Sequence, residues 1–186
     1  MSQSYAVAVI VGSLRAASYS RRIAKALMER APADLACRFV EIGDLAVYNE
    51  DLDTEAPPAA WTRMRDEVRD CQAVLFVTPE YNRSIPGGLK NAIDVGSRPP
   101  GKSVWDGQPA AVVSVTPYKL GGMAANHALR QAFIFLNMPA MQQPEAYISG
   151  AADLVAEDGT VLNEDTGKFL KTFMERFGTW VRTLRS

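Results

Sequence analysis

YAVAVIVGSLRAASYS, residues 5–20, decides the fold of this 186-residue chain, because it carries a strand, a polar loop and the start of a helix in succession. Tyr5–Val11 is a short, continuous apolar run, which is typical of a buried strand in a parallel sheet. Gly12–Ser20 contains three serines and one arginine. Apolar residues then recur at helical spacing in Ser20–Arg30, which predicts a helix directly after the loop.

Strands and helices continue to alternate along the rest of the chain. Further strands are predicted at Ala36–Ile42, Ala73–Thr78 and Ala110–Thr116, with a fifth that starts at Met138–Met141. Further helices are predicted around Trp61–Cys71 and at Leu89–Val95, Met123–Leu136 and Asp165–Leu184. This alternation predicts an α/β fold in which a parallel sheet carries helices on both faces. Five strands suit the flavodoxin-like order 2-1-3-4-5, and the length suits one domain over residues 1–186.

Composition and charge argue against several classes of protein. The formal net charge of −1 at pH 7, with 22% charged residues, gives no sign of a nucleic-acid binder. The apolar run Ala6–Val11 is too short for a signal peptide or a membrane span, so a cytoplasmic protein that binds no membrane is expected. His127 is the single histidine, and Cys37 and Cys71 form no CxxC pair, so no protein-only metal site is expected. Both cysteines are interpreted as small buried hydrophobes.

Chemistry is expected in the loops after strands 1, 3 and 4, because right-handed crossovers place these loops at one edge of the sheet, where ligands bind. The loop after strand 1 combines serine hydroxyls and Arg15 with the amides of a helix N-terminus, a set that suits a phosphate. It contains neither GxGxxG nor GxxxxGK[ST], so a single terminal phosphate, as on FMN, fits better than a pyrophosphate. The alternative is that Ser18 or Ser20 only caps the helix and that Arg15 is a solvated surface charge.

The loop after strand 3, Thr78–Asn91, contains two prolines and two glycines, which fix an unusual backbone path. A stiff loop of this kind can present amides and carbonyls to a planar heterocycle at set positions. Tyr81 can add an apolar ring at the edge of such a ligand. The alternatives are that Glu80 and Asn82 stabilise the turn through bonds to the backbone and that Tyr81 is an ordinary packing aromatic.

The segment PEYNRSIPGGLKNAID, residues 79–94, resembles the signature of the NADPH-dependent FMN reductase family, which includes quinone, azo-dye and chromate reductases. GSLRAASYS, residues 12–20, resembles the phosphate loop of that family, and the spacing between the two segments agrees. The similarity extends from Val7 through the final helix. It implies a flavodoxin-like fold and FMN as the cofactor.

Carried over residue by residue, the resemblance assigns the cofactor contacts to the loops after strands 1 and 3. It implies contacts with the FMN phosphate from Ser13, Arg15, Ser18, Tyr19 and Ser20, although many members have Asn at the position of Ser20. It implies contacts with the isoalloxazine and ribityl groups from Pro79, Glu80, Tyr81 and Asn82.

In the resembled family the loop after strand 4 borders the flavin ring, and this chain departs from the family there. Ser114 is a candidate polar contact, and Gly121 and Gly122 allow close backbone approach before the next helix. The family segment is usually smaller and rich in Gly and Ser, whereas this chain has Pro117-Tyr118-Lys119. Tyr118 either reshapes the acceptor pocket or only shields the ring, and an ordinary connecting loop is the alternative.

The resemblance implies an NAD(P)H-dependent FMN oxidoreductase that reduces quinones or related acceptors such as chromate, azo dyes or free flavin. Hydride passes from NADPH or NADH through flavin N5 in a ping-pong cycle, so no catalytic side chain is expected. Arg83, and Lys102 from a neighbouring subunit, are candidates for attracting anionic acceptors or the NADPH phosphates, with surface solvation as the alternative. A flavodoxin-type electron carrier is the rival class, but the near-zero net charge and Arg15 favour an enzyme.

The resemblance also implies a homodimer or homotetramer with the flavin at a subunit interface. On the predicted helix 123–136, His127 is a candidate to approach Glu145 of another subunit. A packing role for His127 is the alternative, and a catalytic acid role is a further one.

Overall fold

The computed structural model describes residues 3–186. The five strands are β1 Tyr5–Val11, β2 Leu35–Phe39, β3 Ala73–Thr78, β4 Ala110–Val115 and β5 Ala146–Ile148. The helices are α1 Tyr19–Met28, α2 Ala59–Arg69, α3 Gly87–Gly96, α4 Met123–Phe135, α5 Ala151–Leu154 and α6 Glu164–Arg185, with a 3₁₀ turn at Glu50–Leu52. No helix in this part of the chain has both the length and the apolar character needed to cross a membrane.

All strand pairs are parallel, and the strands lie in the order β2-β1-β3-β4-β5, which confirms the predicted flavodoxin-like sheet. β3 and β4 are buried along their whole length, because helices cover both faces of the sheet. One face packs on α1 and α6 through Leu27, Phe173 and Phe177. The other face packs on α2, α3 and α4, with Trp61 and Phe133 among its largest buried side chains.

The fifth strand lies later in the chain than predicted. Residues 138–141 contribute only an isolated bridge between Ala140 and Ala110, and the ladder with β4 is formed by Ala146–Ile148. Ala140 is opposite Ala110 and Ala146 is opposite Val113. The chain between Ala140 and Ala146 is longer than the stretch of β4 that it follows, so it bulges away from the sheet edge between these two contacts. Prolines flank the bridge on both sides, and a proline cannot donate a ladder hydrogen bond. Met138 and Met141 of the predicted strand are buried and Ala140 is half-buried, but this segment forms only the first contact of the chain with the edge of β4.

A buried ion pair anchors the long loop between β2 and α2. The Arg65 guanidinium donates to both carboxylate oxygens of Asp53, at 2.9 and 2.7 Å, and its Nε donates to the carbonyl of Val95 at 2.9 Å. Their side chains are only 5% and 3% exposed. The hydrogen bond from Arg65 is the main cause that lowers the pKa of Asp53. The pair therefore joins this loop to α2 and to α3, on which Val95 lies.

We expect Arg65→Ala to lower the free energy of unfolding by about 3–5 kcal/mol, because the change leaves the buried Asp53 carboxylate without its partner. Chemical denaturation of the wild type and the variant measures the difference. Lys168→Ala is the matched control, since it removes an exposed pair with Glu164 worth about 0–1 kcal/mol. Equal losses in the two variants would contradict the assigned role of Arg65.

The lowered pKa of Asp53 also predicts a pH dependence. A carboxyl whose pKa is lower in the folded state stabilises the fold above its unfolded value, about 3.9, and this stabilisation is lost as the pH falls through the folded value. Unfolding measured from pH 7 downward should therefore show a loss of stability in the wild type below about pH 4. Asp53→Asn should lose less stability over that interval, and an identical slope in the two proteins would contradict the prediction.

Candidate functional site

The carboxyl ends of β1 and β3 converge at the switch point of the sheet. Val11 is opposite Val77, and the amide of Gly12 donates to the carbonyl of Val77 at 2.9 Å. A Cβ at position 12 would lie 2.7 Å from the Thr78 hydroxyl oxygen, so this position requires glycine. The loops after β1, β3 and β4 diverge from here around a cavity of about 210 Å³.

The lining of this cavity brings together most of the predicted site. It consists of Ser13, Arg15, Ser18, Tyr19, Ser20, Pro79, Glu80, Tyr81, Val115, Thr116, Pro117 and Tyr118. Four predicted contacts are not part of the lining: Asn82, Arg83, Ser114 and Gly121. Val115 and Thr116 also line the cavity and were not predicted, because their only signal in the sequence is their position at the end of the fourth strand.

The loop after β1 presents unused hydrogen-bond donors. Within residues 3–186, the backbone amides of residues 13–20 donate to no protein acceptor. Ser18 caps α1 by accepting the amide of Arg21 at 3.1 Å, so the capping alternative holds for Ser18 while it also lines the cavity. Arg15 is exposed and forms no ion pair with another described residue. A helix N-terminus, free amides and an unpaired guanidinium together form a strong site for an anion.

The loop after β3 forms a tight hairpin. Tyr81 and Ser84 exchange two backbone hydrogen bonds of 2.9 Å, and the residues between them, Asn82 and Arg83, have φ angles of 50° and 64°. Two consecutive left-handed residues define a type I′ turn, which Asn favours and Arg does not. The turn carries Asn82 and Arg83 away from the cavity lining, so their predicted ligand contacts stay untested.

Glu80 joins two walls of the cavity. One of its carboxylate oxygens accepts the amides of Ala124 and Ala125, at 3.0 and 3.2 Å, and the other accepts from Arg83 at 3.0 Å. Helix α4 starts after Gly122, which has a φ of 72° and no side chain to cap the helix. Glu80, only 12% exposed, therefore supplies the cap from the neighbouring loop. Glu80 therefore bonds to the backbone, as the alternative interpretation predicted, and it also lines the cavity.

Ser114 and Gly121 lie behind the cavity lining, and their predicted contacts with a ligand stay untested. The Ser114 side chain is fully buried, and its hydroxyl donates to the carbonyl of Gly121 at 2.7 Å. Gly121 has a φ of 62°, and a Cβ there would lie 2.6 Å from the Cβ of Tyr147. The close backbone approach predicted at Gly121 is therefore an approach to Tyr147 in β5. Both residues support the loop from beneath.

Tyr118 stands at the mouth of the cavity with a side chain that is largely free. Its exposure is 78%, whereas its amide donates to the Thr116 hydroxyl at 3.1 Å and its carbonyl accepts the amide of Gly150 at 3.3 Å. The carbonyl of Lys119 accepts from the Ser149 hydroxyl at 2.8 Å. The backbone of this loop is thus fixed while the aromatic ring faces solvent.

His127 lies outside the cavity lining and is exposed on α4. Its Nε2 lies 3.1 Å from the hydroxyl of Tyr147 in the same chain. Burial raises the pKa of Tyr147, and a hydrogen bond with Glu145 raises it further. His127 and Glu145 therefore both adjoin Tyr147, and their approach across subunits stays a prediction.

The cavity combines an anion site with an aromatic mouth at the switch point of a flavodoxin-like sheet. A family model described as NADPH-dependent FMN reductase matches residues 5–153. The chain belongs to the NADPH-dependent FMN reductase family. It is therefore an enzyme of the oxidoreductase class, as the sequence analysis predicted.

Similar proteins from three bacteria cover nearly the whole chain. A quinone reductase of Pseudomonas putida is 61% identical over 186 residues, which is 100% of both chains. A 2-hydroxy-1,4-benzoquinone reductase of a Burkholderia species is 42% identical over 96% of this chain and 97% of the relative. The solved structure of FerB, a flavoenzyme NAD(P)H:(acceptor) oxidoreductase from Paracoccus denitrificans, is 41% identical and superposes with a TM-score of 0.91, covering 96% of this chain and 98% of FerB.

We expect Glu80→Ala to lower the free energy of unfolding by about 1–2 kcal/mol, because the first amides of α4 lose their acceptor. Thermal or chemical denaturation of the cofactor-free protein measures the effect. Arg83→Ala is the matched control, since it removes only a pair whose guanidinium is 70% exposed and is worth about 0–1 kcal/mol. A variant at position 80 that unfolds no earlier than the control would contradict the capping role.

Proposed function

We propose that the chain is an FMN-dependent NAD(P)H oxidoreductase whose acceptors are quinones and related compounds. The observation that carries the proposal is the cavity itself, which has free amides and Arg15 at one end and Tyr81 and Tyr118 at the other. FMN, when bound, supplies the hydride chemistry, taking a hydride at N5 from a nicotinamide and passing electrons to an acceptor in a ping-pong cycle.

The donor set of the cavity suits the phosphate end of FMN. The amides of residues 13–20, the hydroxyls of Ser13 and Ser20 and the Arg15 guanidinium would hold the phosphate at the N-terminus of α1. Ser18 would donate its hydroxyl proton to the phosphate, because its oxygen can accept the amide of Arg21 at the same time. Tyr19, half-buried beneath the guanidinium of Arg22, forms the adjacent wall.

The ring end of the site would be formed by Pro79, Glu80 and Tyr81. The type I′ hairpin and the cap that Glu80 gives to α4 hold these residues in place, so their backbone groups are preorganised. A volume of about 210 Å³ is below the roughly 300–1,000 Å³ of typical ligand pockets, so a ligand as large as FMN extends to the open mouth. An open mouth leaves room for a second planar molecule.

We do not propose a catalytic acid or base among the side chains of the lining. Glu80 is the only carboxylate of the lining, and its oxygens already accept from Arg83 and from two amides of α4. The side chains would therefore act by binding and orienting the cofactor and its partners. This division of labour is usual for flavin enzymes, in which the cofactor carries the chemistry.

Quinones are the first acceptors to test, because quinone reductase and 2-hydroxy-1,4-benzoquinone reductase are the names of relatives at 61% and 42% identity. Tyr118 is proposed to contact the acceptor ring, and Arg83, 70% exposed at the hairpin tip, to attract anionic acceptors. Chromate, azo dyes and free flavin are the other proposed acceptors. Both NADPH and NADH are proposed as donors.

The proposal extends to the organisation of the protein. Residues 1–186 are proposed to act as one FMN-binding domain in the cytoplasm, since one sheet carries both cores and both cysteines are free thiols. Exposed apolar side chains at and beside the mouth support a homodimer or homotetramer. They include Leu14, Tyr81, Tyr118, Leu120 and Met123.

The decisive experiment is anaerobic mixing of the FMN-loaded protein with NADPH or NADH, followed by a panel of acceptors. A reductase should lose the absorbance of oxidised flavin rapidly with the nicotinamide alone, and a quinone should restore it. A flavodoxin-type carrier would change only when a separate reductase is added. A protein that stays colourless and binds no added FMN would overturn the proposal altogether.

We expect Arg15→Ala to weaken FMN binding by about 1.5–3 kcal/mol, which is typical of a hydrogen bond to a charged group. Titration of the cofactor-free protein with FMN, followed by flavin fluorescence, measures the change. Arg176→Ala is the matched control, because Arg176 lies on α6 beside a different cavity. Unchanged FMN affinity in Arg15→Ala would remove this residue from the site.

A further inference from the structure

A second cavity, of about 280 Å³, adjoins the candidate FMN cavity through Ser18, which lines both. It lies along one stripe of α1, because Ser18, Arg21, Arg22 and Lys25 recur at helical spacing. The remaining wall is formed by Ala16, Ala17 and Glu157. Residues 16–18 also belong to the proposed phosphate loop, and Arg22 covers Tyr19, but no role described above uses the basic groups of this cavity to bind a ligand.

The lining is strongly cationic for a protein with a net charge of −1, since it contains three basic side chains and one carboxylate. Arg21 is paired outside the cavity, through two hydrogen bonds of 3.1 and 2.6 Å to Glu41. Lys25 forms no ion pair with another described residue; hydrogen bonds with Thr160 are the main cause that lowers the pKa of the nearby Asp158, and the charge of Lys25 adds the smallest contribution. Within the lining, Arg22 and Lys25 therefore share one carboxylate, that of Glu157.

Arg22 is the most buried of the three basic residues of the cavity. Its side chain is only 15% exposed, and its guanidinium carbon lies 5.0 Å from the centre of the Tyr19 ring. Its ionic partner is Glu157 at 3.3 Å, and the side chain of Glu157 is 89% exposed. An exposed pair of this kind contributes about 0–1 kcal/mol, so an incoming anion can replace this carboxylate at little cost.

We propose that this cavity binds the 2′-phosphate of NADPH and thereby makes the enzyme prefer NADPH to NADH. The inference rests on the proposed function, because it takes the nicotinamide as the electron donor of the adjoining cavity. A phosphate monoester carries close to two negative charges at pH 7, and an arginine guanidinium can bind it through two parallel hydrogen bonds. Arg22 and Lys25 bind the 2′-phosphate, and Glu157 leaves Arg22 when the nucleotide arrives.

The positions of the two cavities suit one extended dinucleotide. The nicotinamide end would lie at the mouth between Tyr81 and Tyr118, and the adenosine end would pass the wall at Ser18. NADH lacks the 2′-phosphate, so it would leave the pair between Arg22 and Glu157 intact. Discrimination between the two donors then depends on this cavity alone.

The first test is calorimetric titration of the FMN-loaded protein with 2′,5′-ADP, 5′-AMP and inorganic phosphate. We expect 2′,5′-ADP to bind at least about 10-fold more tightly than 5′-AMP, the factor of one charge-assisted contact. Arg22→Met, which keeps an apolar stem over Tyr19, and Lys25→Ala should each remove most of that difference. Equal affinity for 2′,5′-ADP and 5′-AMP would overturn the proposal. Binding of inorganic phosphate with the same affinity as 2′,5′-ADP would overturn it as well.

The second test is the ratio of kcat/KM for NADPH to that for NADH with a quinone acceptor. Arg22→Met and Lys25→Ala should lower this ratio about 10-fold, and Glu157→Gln should raise it about 2- to 5-fold by removing the competing carboxylate. Lys171→Ala, an exposed change on α6, is the control and should leave the ratio unchanged. Variants that lower both values equally would overturn the assignment.

The two proposals can fail separately. A protein that oxidises neither nucleotide would overturn the reductase function, and the calorimetric comparison would still report on the cavity. A protein that oxidises both nucleotides with a ratio insensitive to residues 22, 25 and 157 would keep the function and overturn the 2′-phosphate site.

Discussion

The close contact between the ends of β1 and β3 is the constraint on which the rest of the site depends. The Thr78 hydroxyl occupies the space that a side chain at position 12 would need, so the two strands can separate only after this point. The loop after β1 then turns into α1 with its amides unpaired, and the loop after β3 turns into the hairpin. The anion site in the loop after β1 and the rigid wall in the loop after β3 thus both start at the contact between Gly12 and Thr78. Both therefore face the same cavity.

The wall after β3 illustrates how a site can be held by groups that do not face a ligand. Glu80 replaces the cap that Gly122 cannot supply, and in doing so it fixes the start of α4 relative to the hairpin. Ser114 and Gly121 then fix the other side of the same loop against β5. Preorganisation of this kind lowers the entropic cost of binding a flat, rigid ligand.

The sequence was sufficient for the sheet order and for most of the cavity lining, because apolar periodicity and the position of each loop after its strand determine both. It was insufficient for the fifth strand, since periodicity cannot separate the isolated bridge at Ala140 from the ladder at Ala146–Ile148. It was also insufficient to place Ser114 and Gly121 beneath the loop after β4. Whether the serine near the end of β4 points into the cavity or beneath the loop depends on its bonding partners, here the carbonyls of Gly121 and of Ala146 in β5.

The loop that carries Tyr118 combines a fixed backbone with a side chain that makes few contacts. The amide and the carbonyl of Tyr118 and the carbonyl of Lys119 form the bonds that hold this loop, and the Tyr118 ring faces solvent. Substitutions at these two positions can therefore alter the mouth of the cavity without disturbing the scaffold. Because most variants at these two positions should still fold, the loop is well suited to laboratory libraries that ask whether the mouth of the cavity selects the molecules that enter it.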